Sequence, residues 1–364
     1  MNSPHELTQL LDALRALRDG GEPRAALATL TRTHGSTFRR PGTHMLVLHD
    51  GRVVCELSGG CPQRDIVARA LEVIASSAPR RVHYNSESGL DVLMEMGCGG
   101  ELEILIEPLV PAGATAFADS LAQCLAARID AQLATLFAVD GQVIAPQRMV
   151  WSAQQVLFNG IDDAATGAVI ADACAAHRAR GATTQQLASP LGTLDVLIEP
   201  VQPPHALVVI GSSAAARALL PLSTALGWQT TLVDHDPARL QSPDLPAGLR
   251  TLCTTPEQLH EALPLDAHSS VVVMTHNLER DIAWLAALRD APVAYVGSLG
   301  SRERVSRMRH ASELHGLRLH APAGLDIGSE TPEEIALAVA AEIMAVINAR
   351  SGGPLRDNDG AIHG

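Results

Sequence analysis

The chain has 364 residues, 46% hydrophobic and 18% charged, the composition of a folded protein of roughly two domains rather than a disordered one. Acidic residues outnumber basic ones 40 to 27, giving a formal net charge of -13, and every basic residue is arginine. The acidic balance argues against a nucleic-acid-binding face, the lack of lysine excludes Schiff-base chemistry and a Walker-A loop, and no apolar run approaches the ~18 residues of a membrane helix.

Leu7, Leu10, Leu11, Leu14 and Leu17 recur at three-and-four spacing, which predicts an amphipathic helix over residues 6–18 stopped by Gly20 and Gly21. This segment lacks the continuous apolar core of a secretory signal, so a cytoplasmic protein is expected. Residues 25–33 and 45–56 are rich in branched side chains, and Asp50-Gly51 inside the second run predicts a hairpin.

Ser58-Gly59-Gly60-Cys61-Pro62 then leads into an apolar stripe (Ile66, Val67, Ala70, Leu71, Ile74), so a glycine-rich turn opens a second helix. Proline suits the first helical position, which places Cys61 at or beside the N-cap. There the free amides and the positive end of the helix dipole favour a thiolate, with Arg39, Arg40 and Arg64 nearby in sequence. A small buried cysteine packing at a helix end is the plainer reading. Met96-Gly97-Cys98-Gly99-Gly100 is a second glycine-rich turn; its glycines let backbone approach a bulky ligand, or simply make a tight turn into the strand at 102–106.

Residues 191–200 (LGTLDVLIEP) echo residues 99–108 (GGELEILIEP), and 131–145 loosely echo the first hairpin region. Chance likeness between apolar strands and an internal duplication whose second copy lost its cysteine-glycine loop both remain open. Gln202-Pro203-Pro204 reads as a linker, dividing an N-terminal α+β domain (1–200) from a C-terminal domain (205–350), with 351–364 as a flexible tail. The six cysteines show no C-x-x-C pair, so neither a disulfide framework nor a zinc knuckle is signalled.

After the linker, strands at 206–210, 229–233, near 251, 270–274 and 292–296 alternate with helices, including 256–263, 278–289 and 302–315. This alternation predicts a Rossmann-like, doubly wound parallel sheet, ending in a helix over 332–349 that Thr331 caps. Gly211 to Ala216 sits where a dinucleotide fingerprint belongs, and Asp234 follows Gly211 by 23 residues, near the spacing of a ribose-binding acid. Ser213 stands at the second glycine position, however, where a side chain obstructs a pyrophosphate, so NAD(P) binding is disfavoured while a helix-terminal anion site stays open. Gly297, Ser298, Gly300, Ser301 and Arg302 form a second turn suited to an anion, Asp326 lies among glycines before the last helix, and His276 follows a strand at the same expected edge.

Together GSTFRRPG (35–42), SGGC (58–61), GCGG (97–100), MTH (274–276), YVGSLGSR (295–302) and APAGLDIGSETPEEIA (321–336) resemble the XdhC/CoxI family of xanthine dehydrogenase accessory proteins. The resemblance covers most of the chain in the family's order; about 110–190 carries no such signature. It implies a cytoplasmic, dimeric chaperone that binds molybdenum cofactor (molybdopterin), supports its sulfuration by a cysteine desulfurase, and delivers it to a molybdenum hydroxylase client. By that analogy Cys61 is the metal-facing or cofactor-gripping thiolate and Cys98 a weaker companion, Gly59, Gly60, Arg39, Arg40, Gly99 and Gly100 are cofactor-binding candidates, and Gly297 to Arg302 hold the phosphate; whether Cys61 and Cys98 share one site stays open. Two departures stand out: Cys61-Pro62-Gln63 replaces the family's usual cysteine-valine-glutamate, and Gly211-Ser212-Ser213-Ala214 replaces glycine-alanine-glycine-histidine. The competing readings are an NAD(P)-dependent oxidoreductase, motivated by Gly211 and Asp234, and a purely structural partner of the desulfurase or hydroxylase.

Overall fold

The computed structural model describes residues 2–20, 24–35, 37–57, 60–85, 100–109, 115–153, 155–241, 245–246 and 248–357. The N-terminal leucine stripe folds as α1 (Pro4–Asp19), where Ser3 and Glu6 form a capping box, Pro4 opens the first turn, and Leu10, Leu11 and Leu14 are buried. Each such leucine contributes about 1.5–3 kcal/mol, an upper figure because the unfolded chain is itself partly collapsed.

Met1–Pro203 and Pro204–Gly364 form two compact units. In the first, α1 is followed by β1 (Ala25–His34), β2 (His44–Leu48), β3 (Val53–Val54), α2 (Gly60–Ser76), β4 (Arg80–Tyr84) and β5 (Glu101–Pro108). Among the described residues the same order then repeats as α3 (Phe117–Ala126), β6 (Ala131–Val139), β7 (Gln142–Ser152), β8 (Gln155–Asn159), α4 (Ala164–Ala176), β9 (Thr183–Ser189) and β10 (Gly192–Val201). Each run builds an antiparallel five-stranded sheet, β3-β2-β1-β5-β4 and β8-β7-β6-β10-β9. The two similar sequence stretches end in β5 and β10, which hold the same place in their sheets.

Strand alternation gives each sheet two different faces. Ala26, Ala28, Leu30, Ile104 and Ile106 pack against Ile66, Ala70 and Val73 of α2, while Ala134, Leu136, Val196 and Ile198 pack against Ile170 and Cys174 of α4. The opposite faces meet each other: Leu105 packs with Phe137 and Leu197, and Leu27 and Leu46 pack with Leu133 and Val150. The unit therefore has four layers, helix, sheet, sheet, helix, and α1 and α3 contribute to the core where the sheets meet.

The seam between the sheets is charged. His44 Nε2 lies 2.8 Å from Glu199 Oε1, and Arg148 grips Glu107 through both terminal nitrogens, Nη1 to Oε2 at 3.0 Å. None of the four residues is more than 4% exposed. Leu27 pairs with Leu46 and Glu107, and Leu133 pairs with Val150 and Glu199. His44, two residues before Leu46, thus has the place of Arg148, two residues before Val150. Each half offers its acid to the other half's base, the reciprocal pattern of a two-fold interface. Glu103 and Asp195, each four residues before the paired glutamate, are bridged by Arg32 at 2.7 and 2.8 Å.

In the second unit β11 (Ala206–Ile210), α5 (Ala214–Ala225), β12 (Gln229–Asp234), α6 (Pro237–Leu240), β13 (Arg250–Cys253), α7 (Leu259–Ala262), β14 (Ser269–Val273), α8 (Leu278–Ala287), β15 (Tyr295–Ser298), α9 (Arg302–Arg309), β16 (Leu319–His320) and α10 (Pro332–Ile347) follow one another. All strand pairs are parallel, in the order β13-β12-β11-β14-β15-β16. This is the doubly wound order that leaves a crevice where the chain reverses direction, between β11 and β14. Leu219, Leu220, Val339 and Ile343 of α5 and α10 cover one face, and Leu259, Leu285 and Met308 of α7, α8 and α9 the other. The helix expected over 302–315 stops at Arg309: His310 caps it, Ser312–Leu314 make one tight turn, and Gly316 takes a φ of +87° that a helix cannot use.

Arg148→Met strands a buried Glu107 carboxylate and should lower unfolding free energy in urea by about 3–5 kcal/mol, with most of the loss recovered by adding Glu107→Leu. A loss under about 1 kcal/mol for the single variant would mean the seam is solvated.

Candidate functional site

The antiparallel pairing of His34 with Glu101 puts the end of β1 beside the start of β5. A Cβ on Gly35 would lie 3.6 Å from the Gly100 Cα, so the stretch opening at Gly35 touches the stretch ending at Gly100. Tyr84, opposite Leu102 at the same end, donates to Asp65 in the second turn of α2 at 2.6 Å. Burial pushes the Asp65 carboxyl up, but the bonds from Arg69 and Tyr84 outweigh it and hold the group below its usual value. Three separate motif stretches thus converge on one end of the first sheet: residues 35–42, the start of α2, and Gly100.

Cys61 is the second residue of α2, which begins two residues earlier than Pro62 implied. Pro62 still lies in the first turn, where its missing amide proton costs no intrahelical bond. The Cys61 side chain, Gly59, Cys98 and Gly99 lie outside the described residues. Arg39 is committed to α1: Nη2 and Nη1 reach Glu6 Oε1 and Oε2 at 2.5 and 3.1 Å. Burial raises the Glu6 carboxyl, yet the Arg39 and Ser3 bonds outweigh it and lower it. The Arg40 carbonyl accepts from the Thr43 hydroxyl at 2.8 Å, and Gly42, at φ +77°, leaves its Cβ position 2.6 Å from Ala182 Cβ and 2.8 Å from Glu199 Oε1. The 35–42 loop is therefore clamped by α1 on one side and by the second sheet on the other.

The other cysteines of this unit among the described residues, Cys55, Cys124 and Cys174, are poor nucleophiles. Burial, helped by the Glu6 carboxylate, pushes Cys55 up to about 11, and burial pushes Cys174 up to about 12 and raises Cys124. All three are thiols at neutral pH.

In the second unit, Gly211 turns at φ +97° where a Cβ would stand 3.0 Å from the Met274 carbonyl and the Thr275 amide. Its glycine is needed for the close passage of two backbones. Ser213 caps α5, accepting the Ala216 amide at 3.2 Å. Asp234, 2% exposed, closes β12; its Oδ1 accepts from the Asp236 amide at 3.1 Å and its Oδ2 from the Ser212 hydroxyl at 3.2 Å, with His235 Nδ1 2.9 Å from Oδ1. His276 is exposed in the loop after β14. That loop is held by Arg304, which bonds the Thr275 and His276 carbonyls and reaches the buried Asp281 at 2.5 Å. Burial raises the Asp281 carboxyl despite its bonds to Thr275 and Arg304.

The glycines of the 297–302 turn make room for neighbouring side chains. A Cβ on Gly297 would come within 2.6 Å of the Tyr295 ring, and one on Gly300 within 2.8 Å of Arg304 Cδ. Ser301 caps α9 by accepting the Arg304 amide at 3.2 Å, Ser298 is buried, and Arg302 and Asp326 are exposed. Glu342 organises the region behind the turn, accepting from the Tyr295 hydroxyl at 2.6 Å and the Gly324 amide at 2.8 Å, with His320 Nδ1 at 3.2 Å.

A cavity of about 160 Å³ opens at the carboxyl edge of the second sheet. Ile210, Gly211, Asp234, His235, Arg239, Thr275, His276, Asn277, Arg280 and Trp284 line it. Of the sequence-chosen residues Gly211, Asp234 and His276 meet here, whereas Gly297 to Arg302 and Asp326 do not line it. Arg239 and Arg280 were missed; their only sequence signal is a place one turn beyond the caps Asp236 and Asn277. Among the described residues no group of three or more His, Cys, Asp or Glu could hold a metal ion, and no helix is long and apolar enough to cross a membrane.

Residues 17–85 match the model of the XdhC and CoxI family, and residues 207–343 match that of the XdhC Rossmann domain. The chain is 27% identical over 339 residues to a probable xanthine dehydrogenase subunit of Bacillus subtilis (strain 168), covering 92% of this chain and 96% of the relative. It is 25% identical over 349 residues to the molybdenum cofactor insertion chaperone PaoD of Escherichia coli (strain K12), covering 93% and 88%. A crystal structure of a xanthine dehydrogenase from Bacillus halodurans superimposes with a TM-score of 0.76 at 23% identity over 94% of this chain and 96% of that one, which shows a shared fold.

Burial raises the Glu342 carboxyl, but the bonds from Tyr295, Gly324 and His320 outweigh it and hold it below its usual value. A depressed acid stabilises the fold above its unfolded value, roughly 4, and that contribution is lost as pH falls through the lower folded value. The acid limb of the wild-type stability profile should therefore be steeper than that of Glu342→Gln in pH-resolved chemical denaturation; superimposable limbs would show that the network carries no such linkage.

Proposed function

From its membership of the XdhC and CoxI family, we propose that this chain is a non-catalytic chaperone that binds molybdenum cofactor as cargo, supports its sulfuration by a cysteine desulfurase, and delivers it to a molybdenum hydroxylase. The observation that carries this reading is the convergence of residues 35–42, the start of α2 and Gly100 at one end of the first sheet, within and just beyond the family-matched segment. The similarity to PaoD over nearly the whole chain supports the same role. A homodimer in the cytoplasm is the working form we propose.

The cargo presents a dithiolene-bound metal, a pterin and a phosphate. A soft thiolate suits such a metal, and the first turn of α2 is an environment that ionises a thiol, since free amides and the helix dipole favour negative charge. Cys55, held protonated by burial, does not compete. Cys61 is the gripping thiolate in this reading, Cys98 its companion, and Gly59, Gly60, Gly99 and Gly100 give the backbone clearance a bulky ligand needs. Arg39 supports the site through the Glu6 pair that ties the loop to α1. An NAD(P)-dependent oxidoreductase is disfavoured, because Ser213 already occupies an amide that a pyrophosphate would take.

The test is to purify wild type, Cys61→Ala and Cys61→Ser beside a cofactor source and quantify molybdenum and pterin per chain. Wild type should retain both, and the variants should retain less by on the order of tenfold, the loss of one good contact. Equal retention would remove Cys61 from the mechanism.

A further inference from the structure

We propose that the cavity at the carboxyl edge of the second sheet binds a single ribonucleoside monophosphate, gripped by its vicinal diol at Asp234 and by its phosphate at a rim of arginine. The inference is independent of the cargo reading. The cavity sits at the reversal point of the strand order, with walls from the ends of β11, β12 and β14, where open α/β sheets place their ligands.

Asp234 is nearly buried yet faces this space. Its Oδ1 is engaged by the Asp236 amide and His235, but Oδ2 has one close donor, the Ser212 hydroxyl, with Arg239 Nη1 farther off at 3.9 Å. A carboxylate oxygen carries two lone pairs, so Oδ2 keeps capacity for a hydroxyl. In a chain of formal charge -13, this cavity sets one carboxylate against two arginines, Arg239 and Arg280. Among the described residues the Arg280 and His276 side chains make no hydrogen bond or ion pair, so both are open to an anion.

The Ser213 cap favours one nucleotide over two, and the cavity takes only part of it. At about 160 Å³ the cavity is below the roughly 300–1,000 Å³ of pockets that enclose a whole drug-sized ligand. It has room for a sugar, with the base left at the open mouth. The Ser213 hydroxyl also caps α5 at the Ala216 amide, occupying part of the seat that a dinucleotide's pyrophosphate uses.

The full chain is titrated with AMP, 2'-deoxy-AMP, adenosine and NAD+ by calorimetry and by tryptophan fluorescence, since Trp284 lines the cavity. AMP should bind saturably with a Kd of about 0.1 mM, and 2'-deoxy-AMP and Asp234→Asn should each weaken binding about tenfold or more. Adenosine, and AMP with the exposed-site variant Arg280→Ala, should each be weaker by roughly fivefold. The deoxy arm needs no variant and so survives any folding defect in Asp234→Asn. The proposal is overturned by no saturable AMP binding up to about 5 mM, by a deoxy penalty under about threefold, or by NAD+ binding more than about tenfold tighter than AMP.

Discussion

The first unit depends on the charged seam between its two sheets. Burying a carboxylate between sheets is costly, and the cost is met only where a base arrives in the right register with hydrogen-bond geometry. His44 with Glu199 and Arg148 with Glu107 satisfy this twice, in reciprocal places, and Arg32 adds a bridge between Glu103 and Asp195. Apolar contacts such as Leu105 on Phe137 supply attraction without direction. The ion pairs fix which strand faces which, since a slip of one residue would turn each acid away from its base and into the helix-covered core.

That fixed arrangement reaches the candidate site through Gly42. Its missing side chain lets the 35–42 loop lie directly against Glu199 and Ala182, and Arg39 then ties the loop's other face to the N-terminal turn of α1. Glu199 is thus both the partner of His44 and the floor beneath the loop. The second unit uses the same device on a smaller scale: buried Asp281 receives Arg304, which pins the loop bearing Thr275 and His276 at the edge of the cavity.

Local chemistry was legible in the sequence wherever a few neighbouring residues decide the outcome. The leucine stripe of α1, the Asp50-Gly51 hairpin, the Thr331 cap of α10 and the strand-helix alternation after residue 205 all take their predicted forms. β8, whose Val156 and Leu157 are exposed, and the polar, half-buried β9 were not legible, because their pairing is decided by partners elsewhere. The seam pairs are separated by 155 and 41 residues, so no local pattern announces them. That Gly297 and Gly300 also make room for Tyr295 and Arg304 was not legible from their string alone. Of the candidate site, the helix start at Cys61 and the acid at Asp234 were visible; the arginines of the cavity, which only folding brings to the edge, were not.

The central claim is that the two sheets of the first unit stand or fall together because each holds the other's buried charge. Amide hydrogen exchange of wild type and His44→Ala, resolved by peptide, tests it most directly. The account predicts that the substitution on β2 lowers protection in β1 and β5 and equally in β6 and β10. Loosening confined to the first sheet, with β6 and β10 exchanging as in wild type, would contradict it.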